Sequence, residues 1–370
     1  MKKSVLALIT VTISLVATLL VAETAIRFVW VPPSALSTMP TERHAIYGWA
    51  LRPGITGRQV SIEFDYEFAH TEQGLRGSDL FSASRPAGVR HRILFLGDSF
   101  TYGNGSANDE TFVERIHAGI AGAEVINTGV NGYGQRQQLA VLDTLGAALK
   151  PDLVVLMFFW NDVEDNVTAA SPSFAVAGDG RVTRTDLDVP DSFDPLARRR
   201  AEEYRAPVER KLWRRTALYK LFKEGARGLR HRWFGGRERT IRTRAQRDRA
   251  WRETADLLRL IKLRSEEIGS TLLVVSIPDY ELVDPVGRLK GQEPINIEIE
   301  DRIRAACGAL GIGYVDLLPG LRDRQAASDR PLYFVTDRHF TPLGNAAVAK
   351  MLTPILEELL ERHHASGEQP

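Results

Sequence analysis

One cysteine, Cys307, stands in 370 residues. The chain therefore has no internal disulfide and no Cys-based zinc site. Cys307 lies in the apolar helical run AACGAL, the setting of a buried, inert thiol, so cysteine usage does not report the redox compartment. Several short motifs are missing: Gly-x-Ser-x-Gly, the P-loop, Gly-x-Gly-x-x-Gly and His-Glu-x-x-His. No cofactor or metal is expected. Internal repeats and low-complexity tracts are absent too, which excludes a solenoid. Charge of one sign is not in excess: 48 Lys and Arg face 47 Asp and Glu, and a net +1 names no partner.

Apolar residues make up 44% of the chain, enough for a full core. One apolar run is long. Lys2 and Lys3 precede Ser4–Ala22, which carries no charge. As a helix this run reaches about 28 Å, close to the thickness of a hydrocarbon core. Lysines before it place the N-terminus in the cytoplasm and the bulk outside. An uncleaved anchor over 1–29 is expected. A cleaved signal peptide is the competing reading, but Ala22-Glu23-Thr24 is a poor cleavage site.

After the anchor, VPPSALSTMP reads as a linker, and RQVSIEFDYEFAHTEQG suggests a strand or two. Residues 30–90 are expected to form a lead-in packed on the main domain. From Arg92 the pattern becomes βα repeats over 91–364. Buried strands are predicted in RILFLGDS, AEVINTGV, LVVLMFFWND, TLLVVSIP and YVDLLP. Helices are predicted in ETFVERIHAGI and QRQQLAVLDTLGAAL, and over Trp251–Ile268, Ile297–Leu310 and Pro342–Arg362. Apolar strands alternating with helices make an α/β, doubly wound, flavodoxin-like parallel sheet of about five strands. A polar, helical insertion at about 165–250 is expected to interrupt it. Between Arg198 and Arg252, 20 Lys and Arg face 6 Asp and Glu. A solvated Arg-rich face is the plain reading. Contact with anionic lipid or an anionic glycan fits the charge and the anchor, whereas nucleic acid clashes with export.

RILFLGDSFTYG puts Ser99 past a buried strand and before a helix, whose free N–H groups suit a nucleophile that creates an oxyanion. A serine N-cap fits Gly-Asp-Ser equally well. Further segments reach the same edge of the sheet. Gly132 in NTGVNGYG allows a close backbone approach, and Asn161 in FFWND can point an amide donor there. His339 and Asp337 in TDRHFTPLGN come just before the last helix. Asp98 and Asp162 read as structural carboxylates that bond turn backbone. His117 and His44 show no partner pattern.

These blocks resemble the SGNH/GDSL hydrolase family over about Arg92 to Leu360, the insertion excluded. RILFLGDSFTYG is similar to its first block, with Ser99 in the nucleophile position. INTGVNGYG and NDVEDN are similar to its second and third, with Gly132 and Asn161 as oxyanion donors beside the Ser99 N–H. DRHFTPLG is similar to its last, with His339 as base and Asp337 as its orienter. HTEQGLRG before GDSFTYG resembles membrane-anchored bacterial members. Two departures stand out. Asp337-x-His339 is one residue shorter than the common Asp-x-x-His, leaving a Ser–His dyad open beside the triad. Phe159 stands where the family often has Gly, which makes the pocket wall bulkier.

The resemblance implies an ester hydrolase without cofactor, acting outside the membrane on O-acyl groups, with O-acetyl on a cell-envelope glycan expected. The periplasmic face of an inner membrane is the expected location. O-acyl transfer by the same site is the close alternative. A non-catalytic glycan- or lipid-binding envelope protein is the alternative of another class.

Overall fold

The structure, a computed structural model, describes residues 2–29, 37–167, 173–176, 182–185, 219, 221–222, 244–284 and 297–367. Most of the linker at 31–40 and most of the basic insertion at about 165–250 lie outside the described residues.

The chain opens with helix α1 (Lys2–Val29), in which Ile9–Ile26 is long and apolar enough to cross a membrane and is not buried against the protein. A membrane anchor and a signal sequence both meet that description. Strands β1 (Thr41–His44) and β2 (Gly48–Leu51) then pair antiparallel, as do β3 (Thr56–Val60) and β4 (Asp65–Ala69). The second pair is the one RQVSIEFDYEFAH foretells; the first has too little alternation to be read in advance.

The central sheet holds β5 (His91–Leu96), β6 (Ala123–Asn127), β7 (Leu153–Phe158), β10 (Thr271–Ser276) and β11 (Gly313–Asp316). A separate antiparallel hairpin, β8 (Ser173–Val176) with β9 (Val182–Thr185), lies within the insertion, where helix was expected. All five central strands are parallel in the order β11-β10-β7-β5-β6. This is the flavodoxin-like order expected. The chain winds outward from β5 in both directions, so the ends of β5 and β7 flank the switch point where such sheets carry their sites.

Both faces of the sheet are covered, which is why its inner strands β7 and β10 run almost wholly apolar rather than alternating. Ile93 and Phe95 of β5 join one buried cluster, Leu94 and Leu96 the other. Helices α2 (Ser99–Tyr102), α3 (Phe112–Gly119), α4 (Gln135–Val141), α5 (Asp162–Asp165), α6 (Arg244–Glu267), α7 (Ile297–Leu310), α8 (Leu318–Ala326) and α9 (Pro342–Gly367) follow in chain order. Helix α9 buries Val348, Leu352, Leu356 and Leu360, one stripe at four-residue spacing, in the cluster that also holds Phe112 and Ile116 of α3. Full burial of each such side chain contributes roughly 1.5–3 kcal/mol.

Two predicted elements end differently. The strand expected over YVDLLP stops at Asp316, whose carboxylate accepts a hydrogen bond from Leu318 N at 2.9 Å. Helix α8 starts there, and Pro319 is tolerated because a first-turn residue needs no N–H partner. The helix expected over 135–149 contains a π turn at Leu142–Gly146, where Thr144 bonds back to Ala140 O and meets the Tyr47 hydroxyl at 2.6 Å.

The lead-in shares the main core: Trp49, Leu51 and Leu75 are buried in the cluster that holds Leu94 and Leu96. Buried Arg92 pairs with Glu124 across β5 and β6 and donates to Ser82 O at 3.0 Å. Cys307 is fully buried, and loss of water pushes its thiol up to about 12, as an inert thiol requires. His117 does have partners in space: Glu114 at 3.6 Å, one helical turn away, and Asp79 at 3.7 Å. The hydrogen bond to Glu114 raises its pKa. His44 stacks on Tyr47 and accepts from Ile46 N at 3.2 Å.

Candidate active site

Ser99 stands where β5 gives way to α2. Asp98 caps that helix, its Oδ1 accepting from Phe100 N at 2.9 Å. The turn closes on itself: Asn104 N donates to Ser99 O at 3.0 Å, and Gly103 ends the helix at φ 83°. A side chain at Gly97 would collide with Thr101, so the tight passage from strand to helix requires glycine there.

His339 reaches Ser99 from the other end of the chain. Its Nε2 lies 2.6 Å from Ser99 Oγ, and its Nδ1 lies 2.5 Å from Asp337 Oδ1. Both partners are largely shielded, with side-chain exposures of 14% for His339 and 28% for Asp337, so water competes weakly for the hydrogen bond between them. Despite the short spacing, Asp337 meets the imidazole because Arg338 between them adopts φ 74°. That left-handed residue turns the backbone enough to bring side chains two residues apart face to face. Phe100 packs on the His339 ring at 4.8 Å.

Gly132 and Asn161 approach from the strands on either side. Gly132, at φ 81° in the loop after β6, sits under Trp49, whose Nε1 donates to Asn131 O at 3.0 Å. Gly129 in the same loop packs so closely on Thr101 and Tyr102 backbone that no Cβ fits. Asn161 follows β7 and is 6% exposed; its Nδ2 donates to Asp165 Oδ2 at 3.0 Å. Its Oδ1 has no hydrogen-bond partner among the described residues. The sheet order thus sets Ser99 in the middle, with Gly132 on one side and Asn161 on the other.

Asp162 accepts from Gln135 Nε2 at 2.7 Å and from Phe159 N at 3.2 Å, a turn-bonding carboxylate like Asp98. Complete burial, then the nearby Asp98 and Asp165 charges, holds it well above the usual carboxylate range. Phe159, in the position where a glycine is common, packs on Phe100 at 4.6 Å and on Trp160 at 5.6 Å.

Two side chains with no role in the sequence reading touch this site. Asn104 Nδ2 donates to Asp337 Oδ1 at 3.3 Å, and Glu63 accepts from Asp337 N at 2.7 Å. Asn104 directly follows the first block, five residues after Ser99, so its closeness in sequence to Ser99 was the available signal. Nothing local marks Glu63.

The profile of the GDSL-like lipase/acylhydrolase family matches residues 95–347. The chain belongs to this family. It is an ester hydrolase of the serine type. A search of the curated proteins gives no match. Among solved structures, an acetylxylan esterase from Geobacillus stearothermophilus, crystallised as a catalytic mutant, is 14% identical with TM-score 0.39, covering 72% of this chain and 95% of its own. A putative arylesterase from Agrobacterium tumefaciens is 17% identical with TM-score 0.40, covering 73% and 99%. A lipolytic G-D-S-L family member from Veillonella parvula is 12% identical with TM-score 0.41, covering 71% and 97%.

Proposed function

We propose that this GDSL hydrolase removes short O-acyl groups, O-acetyl foremost, from a cell-envelope carbohydrate, using Ser99 as nucleophile. The observation that carries the reading is the hydrogen-bonded line Ser99 Oγ, His339 Nε2, His339 Nδ1, Asp337 Oδ1. His339 takes the Ser99 proton as Ser99 attacks the ester carbonyl, and Asp337 stabilises the imidazolium that forms. The Ser99 and Gly132 N–H groups and the Asn161 amide are the oxyanion donors; losing one such donor typically costs about 3 kcal/mol of barrier. His339 then protonates the departing alcohol, and a water it deprotonates releases the acid from Ser99.

The aromatic wall of Phe100, Phe159 and Trp160 beside the site supports a small acyl group. The N-terminal helix, with Lys2 and Lys3 at its start, supports an inner-membrane anchor with the catalytic domain in the periplasm. The carbohydrate rests on the resemblance to anchored bacterial members.

The test is turnover of p-nitrophenyl esters by the full chain in detergent micelles. Acetate should exceed octanoate at least about tenfold in kcat/KM, as expected of an acyl site bounded by these bulky rings, where extra methylenes cost strain. Equal turnover by wild type and Ser99→Ala would remove the reading. Acetyl delivered to an added glycan in place of water would assign the site to acyl transfer.

A further inference from the structure

The lead-in hairpin β3–β4 reaches the catalytic loop through two side chains. Ser61 shapes its tip: Oγ accepts from Glu63 N at 3.0 Å and from Phe64 N at 3.1 Å. Glu63 is thereby held against the loop that carries Asp337 and His339. Thr336 N donates to both oxygens of Glu63, each at 2.9 Å, and Asp337 N donates to one at 2.7 Å. Successive N–H groups converging on one carboxylate make an anion-holding concavity of backbone. Phe64 packs beside this contact, its ring 5.3 Å from Phe334 at the start of the loop.

The second side chain acts through Asn104. The Tyr66 hydroxyl of β4 donates to Asn104 Oδ1 at 3.4 Å. That leaves the amide nitrogen facing the loop, where it donates to Asp337 Oδ1. The loop is closed at its base by a Tyr333–Phe340 bridge, by Phe334 N to His339 O at 2.9 Å and by Arg338 N to Phe334 O at 3.0 Å. None of these backbone bonds involves Asp337. The Asp337 N–H is fixed from outside the loop, by Glu63.

We infer that Glu63 is a positioning residue for the Asp337–His339 pair, so that the lead-in hairpin belongs to the catalytic apparatus. The inference rests on the assignment of His339 as general base. Without the Glu63 carboxylate, the Asp337 N–H is free to turn toward other acceptors, its own side chain included, and the imidazole loses its aligned partner. A misplacement of about 1 Å at such a pair can cost about 100-fold in rate.

The test compares wild type, Glu63→Ala and Glu63→Gln in the full chain. The readouts are kcat and KM on p-nitrophenyl acetate, melting temperature, and the low-field proton resonance of the His339–Asp337 hydrogen bond. Glu63→Ala should lower kcat about 10- to 100-fold with KM within about twofold and should broaden or shift that resonance. Added formate, refilling the concavity with a carboxylate, should restore kcat. Glu63→Gln, which keeps the shape but one acceptor oxygen, should fall between. Wild-type kcat and an unmoved resonance in Glu63→Ala would overturn the inference. So would a loss that formate does not reverse and that tracks a fallen melting temperature. Equal turnover by wild type and Ser99→Ala is a different failure: it removes the ester reading, while the resonance still reports on Glu63.

Discussion

The turn that carries Ser99 and the loop that carries His339 meet at 2.6 Å, and they are built in different ways. The Ser99 turn is made from residues 97–104: an Asp98 cap, a return bond from Asn104 N, and glycines at the two tight points. Outside support reaches it at Tyr102, against which Arg76 stacks at 4.4 Å and to which His70 Nε2 lies 3.1 Å. The His339 loop is held by distant partners. Glu63 comes from the lead-in and Asn104 from the end of the Ser99 turn, while Tyr280 and Glu281 hold Arg338, at 4.4 Å to the ring and 3.7 Å. A nucleophile turn needs one sharp local geometry. A base that must face both the nucleophile and an acid needs a loop pinned at several points.

The support under the Ser99 turn can be withdrawn by acid. His70 is buried, and loss of water lowers its pKa to about 4. Its Nδ1 donates to Arg52 O at 3.0 Å, so neutral Nε2 accepts from the Tyr102 hydroxyl. The unfolded chain binds this proton below about 6.5 and the folded chain only near 4. Stability from this group is therefore complete above pH 6.5 and declines as pH falls to 4, by about 3 kcal/mol in all. Urea midpoints at pH 7, 5.5 and 4 check this. His70→Gln should lose less stability than wild type over that range by about that amount, and parallel losses would contradict it. Glu300, raised to about 7 by burial, titrates with the opposite sign in both proteins, so the difference isolates His70.

The loop side is sharpened by Arg338. A left-handed residue other than glycine costs roughly 1–2 kcal/mol, and a β-branched one more. Arg338→Gly should keep the melting temperature within a few degrees, its relief of strain offsetting the lost contacts with Tyr280 and Glu281. Arg338→Val should lower stability by at least about 1–2 kcal/mol and separate Asp337 from His339, which kcat would report. Equal behaviour of the two variants would remove the left-handed turn from the account.

The same contrast explains what the sequence disclosed. Strand order, both covered faces and the GDSF turn depend on local periodicity and glycine chemistry, and these could be read. Asp337 and His339 could be named from their block, but their contact depends on a positive φ at an arginine that no pattern announces. Glu63, at the tip, and Tyr66, in β4, belong to a hairpin that alternation revealed, yet their partners are some 40 to 270 residues away. Such contacts are set by packing of the lead-in on the core, which one-dimensional spacing does not encode. The β1–β2 pair was missed because four-residue strands carry too few residues for a period to appear, and α8 because it buries only Leu321 and so has no apolar stripe.

The central claim is that Ser99 is the nucleophile and that His339 makes it reactive. Intact-mass and peptide mass spectrometry of the full chain after brief exposure to a fluorophosphonate tests it most directly. The account predicts one adduct, on the peptide containing Ser99, formed at least about 100-fold more slowly in His339→Ala and absent in Ser99→Ala. An adduct on another residue, or the same rate of labelling at Ser99 without His339, would contradict it.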